Sequence, residues 1–175
     1  MEIKTLIVGP LQTNCYLLKK DNDVLIIDPG SDADKIKESI KGNVIAILLT
    51  HHHFDHIGAL AELEKFYDVP VYDFNSLEEG KHKVKKFNFD VIYTPGHTND
   101  SVTYYFKDDK IMFVGDFIFK NSIGRTDLGG NMAEMINSIN KIKKYPKDIK
   151  LYPGHGNSTT LGYEKENNYY LNIKE

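Results

Sequence analysis

The amino-acid sequence predicts a mixed α/β domain in which helices cover the faces of β-sheets. Three observations carry this. Short apolar runs rich in β-branched residues alternate with segments of helical periodicity. Most runs stop at Gly, Pro, Asp or His, residue types that turn a chain out of a strand. The chain has 175 residues, 41% hydrophobic and 27% charged, which is ordinary globular composition. A chain of this length buries roughly 70% of its unfolded surface, enough for one core, so residues 1–175 are expected to form a single domain.

The elements follow in order. Val24–Ile27 reads as a buried strand stopped by Asp28-Pro29-Gly30. A short helix is expected from Ser31 or Asp32, with Ile36 and Ile40 four apart. Val44–Leu49 is apolar on both faces and predicts a central strand, running straight into Thr50-His51-His52-His53-Phe54-Asp55-His56. Ile57–Tyr67 carries Leu60, Leu63 and Tyr67 at helical spacing, and 69–74 returns as a strand. Phe89–Tyr93 predicts a strand ending at Thr94-Pro95-Gly96-His97. Ser101–Phe106 and Lys110–Val114 are strands separated by Asp108-Asp109, the second ending at Gly115-Asp116. Met132, Met135, Ile136, Ile139 and Ile142 keep helical spacing behind Asn131, with Glu134 three residues on as in a capping box. Ile149–Tyr152 is a last strand, ending at Pro153-Gly154-His155-Gly156. No linker, low-complexity segment or close repeat interrupts the pattern.

Charge and composition exclude several classes. Lys+Arg is 22 and Asp+Glu is 25, so the net charge is 22 − 25 = −3, against the basic face a nucleic-acid partner needs. No apolar run approaches the ~20 residues of a membrane span. Met1–Gly9 lacks the apolar stretch of a secretory leader. The one cysteine, Cys15, makes no internal disulfide and is expected to pack in the core of a cytoplasmic protein.

The seven histidines are not scattered. His51, His53, His56, His97 and His155 follow the ends of predicted strands, as do Asp55 and Asp116. Such loops are held by a rigid sheet, which is where ligands gather in α/β folds. Imidazole with carboxylate suits zinc, iron or manganese. In a turn leaving a strand, His51 and His53 are placed to grip one cation and Asp55 and His56 a neighbour. A lone His-x-His, or a lone aspartate after glycine, carries little weight. Gathered together without a cation, these groups would cost several kcal/mol in desolvation and like-charge repulsion. His52 and His82 fit no such pattern and are expected to face solvent.

The ordered set Thr50-His51-x-His53-x-Asp55-His56-x-Gly58, Pro95-Gly96-His97-Thr98, Gly115-Asp116 and Pro153-Gly154-His155-Gly156 resembles the metallo-β-lactamase superfamily. With Asp28, the motifs span most of the chain. The resemblance implies an αβ/βα four-layer sandwich, two facing mixed sheets with helices outside. It implies that His51, His53 and His97 bind a first metal and that Asp55, His56 and His155 bind a second. Asp116 would bridge both. Asp28 matches an early strand-end aspartate that orients the histidine loop from behind. Its plainer reading is an aspartate capping its own Pro-Gly turn.

Within that superfamily, true β-lactamases usually place a cysteine near the second metal, whereas Cys15 lies far upstream. His53 stands where related diiron flavoproteins carry an acid, and the superfamily's nucleases need an extra domain and basic surfaces. Tyr152–Gly156, Thr159-Thr160, Glu164 and Ile123–Asp127 fit the glyoxalase II-like, hydroxyacylglutathione hydrolase-like branch, whose members cleave thioesters. The resemblance implies two divalent ions, zinc foremost with iron or manganese as alternatives. It implies a small acyl-thiol substrate attacked by a metal-bound hydroxide, with Asp55 and Asp116 in the catalytic machinery. Only 175 − 155 = 20 residues follow His155. That allows at most one short helix, in place of the C-terminal helical domain with which full glyoxalase II enzymes hold glutathione. Thr98-Asn99-Asp100-Ser101, with Gly124–Asp127, also resembles persulfide dioxygenases, in which one iron would sit on His51, His97 and Asp116. A metal-binding protein without turnover is the third class. Arg125 is the only arginine among 22 basic residues. A planar fork there suits either a substrate carboxylate, with Lys120 as a further anion contact, or an acid such as Asp127 that pins the loop.

Overall fold

In a computed structural model, which describes residues 1–172, the runs that are apolar on both faces become central strands of two packed sheets. The first half contributes β1 (Glu2–Val8), β2 (Thr13–Lys20), β3 (Asp23–Ile27), α1 (Ala33–Ser39), β4 (Asn43–Leu48), α2 (Phe54–Ile57), α3 (Leu60–Tyr67) and β5 (Val71–Tyr72). Its sheet has the order β1-β2-β3-β4-β5. The first three strands are antiparallel neighbours, and β3, β4 and β5 run parallel across helical connections. The chain continues through β6 (Gly80–Val84), β7 (Phe87–Tyr93), β8 (Val102–Phe106) and β9 (Ile111–Gly115). A small ribbon of β10 (Ile118–Phe119) and β11 (Ser122–Ile123) precedes α4 (Met132–Ile142). Then come β12 (Lys150–Pro153), β13 (Thr159–Thr160), α5 (Leu161–Asn167) and α6 (Tyr169–Asn172). The second sheet has the order β6-β7-β8-β9-β12-β13, with β9 and β12 parallel.

Period-two alternation sorts the side chains into three apolar layers. Between the sheets, Tyr16, Leu18, Leu25, Ile27 and Leu48 meet Phe89, Tyr104, Phe106 and Phe113. The intervening residues Cys15, Leu17, Ile26 and Ile47 pack on Ile36 of α1 and Leu63 of α3. On the far side, Met112, Val114 and Leu151 pack on Met135, Ile139 and Ile142 of α4 and on Leu161 and Leu171. Each fully buried large side chain contributes about 1.5–3 kcal/mol, so strands covered on both faces anchor the fold. The result is the expected four layers, helix–sheet–sheet–helix. No helix among the described residues is long and apolar enough to cross a membrane.

Several element limits differ from the sequence expectation. The helix read over 57–67 begins earlier and is split into α2 and α3. The split lies where Gly58 passes so close to the carbonyl of Gly30 that any Cβ would collide with it. The strand read over 69–74 pairs only through Val71 and Tyr72. After His155 there are two short helices rather than at most one. No strand is expected from the sequence over β1, β2, β6, β10, β11 or β13; β1 and β6 each lie at the edge of their own sheet, whereas β2 is central. The Asn131 cap forms as expected: its side chain accepts from the Glu134 N–H at 2.9 Å.

Candidate metal centre

The loops that leave the strand ends are tied to one another across the edge of the sandwich. Val102 N–H donates to Thr50 O, Asn14 N–H to Gly154 O, and Gly154 N–H to Gly115 O. These bonds bring the turns after β4, β7, β9 and β12 to one place. His51, His53, Asp55, His56, His97, Asp116 and His155 all meet there.

The seven side chains form two overlapping halves. His51, His53 and His97 offer ligand atoms within 4.8 Å of one another, and so do Asp55, His56 and His155. Asp116 touches both halves. Its Oδ2 lies 3.6 Å from His97 Nε2 and 3.5 Å from His155 Nε2, and its Oδ1 lies 3.3 Å from His56 Nε2. His155 Nε2 is 3.1 Å from Asp55 Oδ2. Gly154 lets these groups close up, since a Cβ there would meet Asp116 Oδ1 and come within 2.6 Å of His56 Cε1.

Each imidazole is oriented from behind, and the orienting partner fixes which nitrogen faces the centre. His97 Nδ1–H donates to Arg125 O at 2.6 Å and His155 Nδ1–H to Leu11 O at 3.1 Å. His53 Nε2–H donates to Leu128 O at 3.0 Å. A carbonyl only accepts, so His53 Nδ1 and His97 Nε2 face each other as bare lone pairs 2.9 Å apart. Asp28 accepts from Thr50 N–H at 2.8 Å and Thr50 Oγ1–H at 2.6 Å, and its Oδ2 lies 2.9 Å from His56 Nδ1. The Thr50 hydroxyl, its proton engaged by Asp28, sits 3.0 Å from His51 Nδ1. Asp28 therefore holds two histidines through the loop and does not merely cap its own turn.

Three buried atoms make no well-formed hydrogen bond among the described residues: His51 Nε2, and His56 Nε2 and Asp116 Oδ1, which face each other at 3.3 Å. All three point into the centre. Buried polar atoms are almost always paired, so orphans gathered with opposed lone pairs mark a place built for a cation. The donor set, five imidazoles and two carboxylates, fits a pair of borderline divalent metals.

Charge is divided unevenly in the cation-free cluster. Burial, reinforced by His56, pushes the His51 pKa well below its usual value, and burial lowers His97 too. Burial also opposes charge on His56, but Asp28 and Asp116 outweigh it and push His56 up to about 10. The contact with Asp116 raises His155 against the opposing effect of burial. Burial would raise Asp116, yet His155 and His56 beside it bring its carboxyl far below the usual range. Asp116 thus stays ionised, between the neutral His51 and His97 and the protonated His56.

The remaining predicted residues fall outside this cluster. Arg125 lies on the cleft wall, exposed, and its Nε and Nη2 each bond Asp127 at 2.6 Å. Lys120 is exposed on the β10–β11 turn, its ammonium 5.5 Å from the centre of the Tyr163 ring. His52 is exposed but bridges Asp73 and Asp100, and His82 is half-buried with its ring stacked on Phe89. Cys15 is fully buried, as expected. Sequence reasoning missed Thr13, whose hydroxyl donates to Asp55 Oδ2 at 3.0 Å. It also missed Asn14 and the supporting role of Thr50; for Thr13 and Asn14 the available signal was a polar Thr-Asn pair just ahead of the apolar run Cys15–Leu18.

Comparison with known proteins agrees with this geometry. The family model of the metallo-beta-lactamase superfamily matches residues 8–78 and 75–155. A probable metallo-hydrolase, YqgX of Bacillus subtilis, is 36% identical over 98% of both chains. The hydroxyacylglutathione hydrolase GloC of Haemophilus influenzae is 32% identical over 99% of this chain and 100% of its own. Among solved structures, BLEG-1, a B3 metallo-beta-lactamase, superimposes with a TM-score of 0.92 at 34% identity, covering 98% of this chain and 100% of that one. TTHA1623, solved in a di-iron-bound form, gives 0.88 at 32% identity over 95% and 99%.

Proposed function

This chain belongs to the metallo-beta-lactamase superfamily, and on that footing we propose that it is a thioester hydrolase working with two divalent cations. His51, His53 and His97 would hold the first, Asp55, His56 and His155 the second, with Asp116 shared. Zinc is the expected metal, with iron or manganese as alternatives. The observation that carries this is the position of Asp116, one carboxylate oxygen against His56 and the other against both His97 and His155. Bound there, a pair of divalent cations supplies Lewis acidity, polarising a carbonyl and lowering the pKa of water from ~15.7 to about 7.

The chain's own residues position that chemistry. The Thr13 hydroxyl donates to Asp55 Oδ2, so its carboxylate is held in one orientation. The Asp28–Thr50 pair fixes the rings of His51 and His56. The titratable groups lining the cleft are these same ligand candidates together with Arg125, which is engaged by Asp127. None is left free to protonate a leaving group. An amine leaves poorly without a proton and a thiolate leaves well, which favours a thioester over an amide. The similarity to GloC supports the same reading. The completeness of the second half, Asp55, His56 and His155, supports two cations over the single iron of a persulfide dioxygenase. The test is metal quantification alongside thiol release from a thioester panel. Metal-dependent release without oxygen uptake is expected; persulfide-dependent oxygen uptake without thioester cleavage would overturn the proposal.

A further inference from the structure

Above the cluster, the cleft has an apolar wall whose one fixed cation, Arg125, is already paired. Leu11 comes from the β1–β2 turn, Phe54 from the start of α2, Phe119 from β10 and Leu128 from the loop before α4. Leu11, Phe54 and Leu128 are 51%, 73% and 50% exposed, and all three converge on one opening. Large exposed apolar side chains gathered at one place mark a binding surface. The space they bound, about 610 Å³, is that of a small-molecule site. Arg125 is the one lining residue with fixed positive charge, and its fork is closed on Asp127. Lys120 lies over the Tyr163 ring and does not line the cleft. A carboxylate lying along this wall, out of reach of cations held by the cluster, would lose its water against leucine and phenylalanine without gaining a free counter-charge.

Resting on the thioester reading above, we propose that the cleft selects neutral, apolar acyl-thiols. A hydrocarbon portion seats against Leu11, Phe54, Phe119 and Leu128, and carriers bearing carboxylates, as glutathione does, are disfavoured. Leu128 and the Arg125–Asp127 pair are then specificity-determining.

The experiment compares one series of acyl groups on two carriers, N-acetylcysteamine and glutathione, with the metal-loaded enzyme. For the first few methylenes, kcat/KM should rise about fourfold per methylene seated on the wall. The neutral carrier should be preferred by an order of magnitude. Leu128→Lys, which adds a free cation, and Asp127→Asn, which releases Arg125, should both move the carrier ratio toward glutathione. The ratio is measured within one preparation, so partial loss of folding or metal cancels. Calorimetric binding of the inert thioethers S-octyl-N-acetylcysteamine and S-octylglutathione to metal-free and zinc-loaded protein repeats the comparison without turnover. A carrier ratio that favours glutathione, or a flat chain-length series, overturns the selectivity and leaves the hydrolase reading intact. Preferential binding of the neutral thioether with no cleavage of any thioester overturns the hydrolase reading and upholds the apolar selectivity.

Discussion

Asn14 is the residue through which the first strand hairpin holds the His155 loop, and replacing it tests how the centre is assembled. Its side-chain Nδ2 donates to Pro153 O at 3.0 Å and to Gly156 O at 2.9 Å, bracketing His155 on both sides. Asn14→Ala removes both donors from beneath the surface. At about 1–1.5 kcal/mol for each lost bond, the cost is about 2–3 kcal/mol. For a chain of this size that corresponds to a fall in melting temperature of about 5–10 °C. The backbone bond from Asn14 N–H to Gly154 O remains, as does the Tyr16 hydroxyl on Pro153 O, so the fold should survive. The loosened His155 should weaken one cation by about 10–100-fold, the usual consequence of losing an outer support, and spare the other. Asn14→Asp should be worse than alanine, because it aims a carboxylate at two carbonyls. Thermal melting and zinc titration of the three proteins decide the matter. An alanine variant with unchanged melting temperature and unchanged titration would refute the bracketing role.

Four further outcomes are expected. Gly154→Ala forces a methyl against Asp116 and His56, so it should cost about 1–3 kcal/mol by overpacking and lower the zinc content, measured by melting and elemental analysis. In the chelated protein, His56 is pushed up from 6.5 to about 10 and His155 is raised too. Their favourable charge contributes stability below pH 6.5 that is lost as pH climbs toward 10, so the melting temperature should fall across that window; a rise would contradict the assigned charge state. Zinc loading at pH 7 should correspondingly release protons, detectable by calorimetry in buffers of different ionisation enthalpy. Burial, with Asp28 nearby, pushes the Cys15 thiol far up, so it should resist a disulfide reagent at pH 8 in the native protein and react fully once unfolded; fast native labelling would show the core open there.

How much of this was legible in the sequence follows from where the information sits. Strands covered on both faces leave long apolar runs, and Val24–Ile27, Val44–Leu49 and Ser101–Phe106 each contain a real strand within a residue or two. The edge strands β1 and β6 were not legible, because solvent on one side admits Lys4, Ile7, Lys81 and Lys83 and blurs the alternation; nor was central β2, whose apolar run Cys15–Leu18 is short and flanked by Thr13-Asn14 and Lys19-Lys20. Lysines on such an edge also discourage pairing with another chain. The metal-centre candidates were legible because His and Asp at strand ends are both conspicuous and ordered. Their supports were not. Thr13 reaches Asp55 across 42 positions and Asn14 reaches Pro153 across 139, distances no local pattern encodes. For Arg125, its rarity pointed to a bidentate partner, either a substrate carboxylate or an acid such as Asp127; the structure shows the fork closed on Asp127, two residues on.

Zinc titration of the chelated protein, with competing chromophoric chelator, tests the shared position of Asp116 most directly. Saturation at two ions per chain is expected. His155→Ala should leave one ion tightly bound, and Asp116→Ala should weaken both. Saturation at a single ion, or an Asp116→Ala protein that binds both ions as tightly as before, would contradict a carboxylate held in common by the two halves.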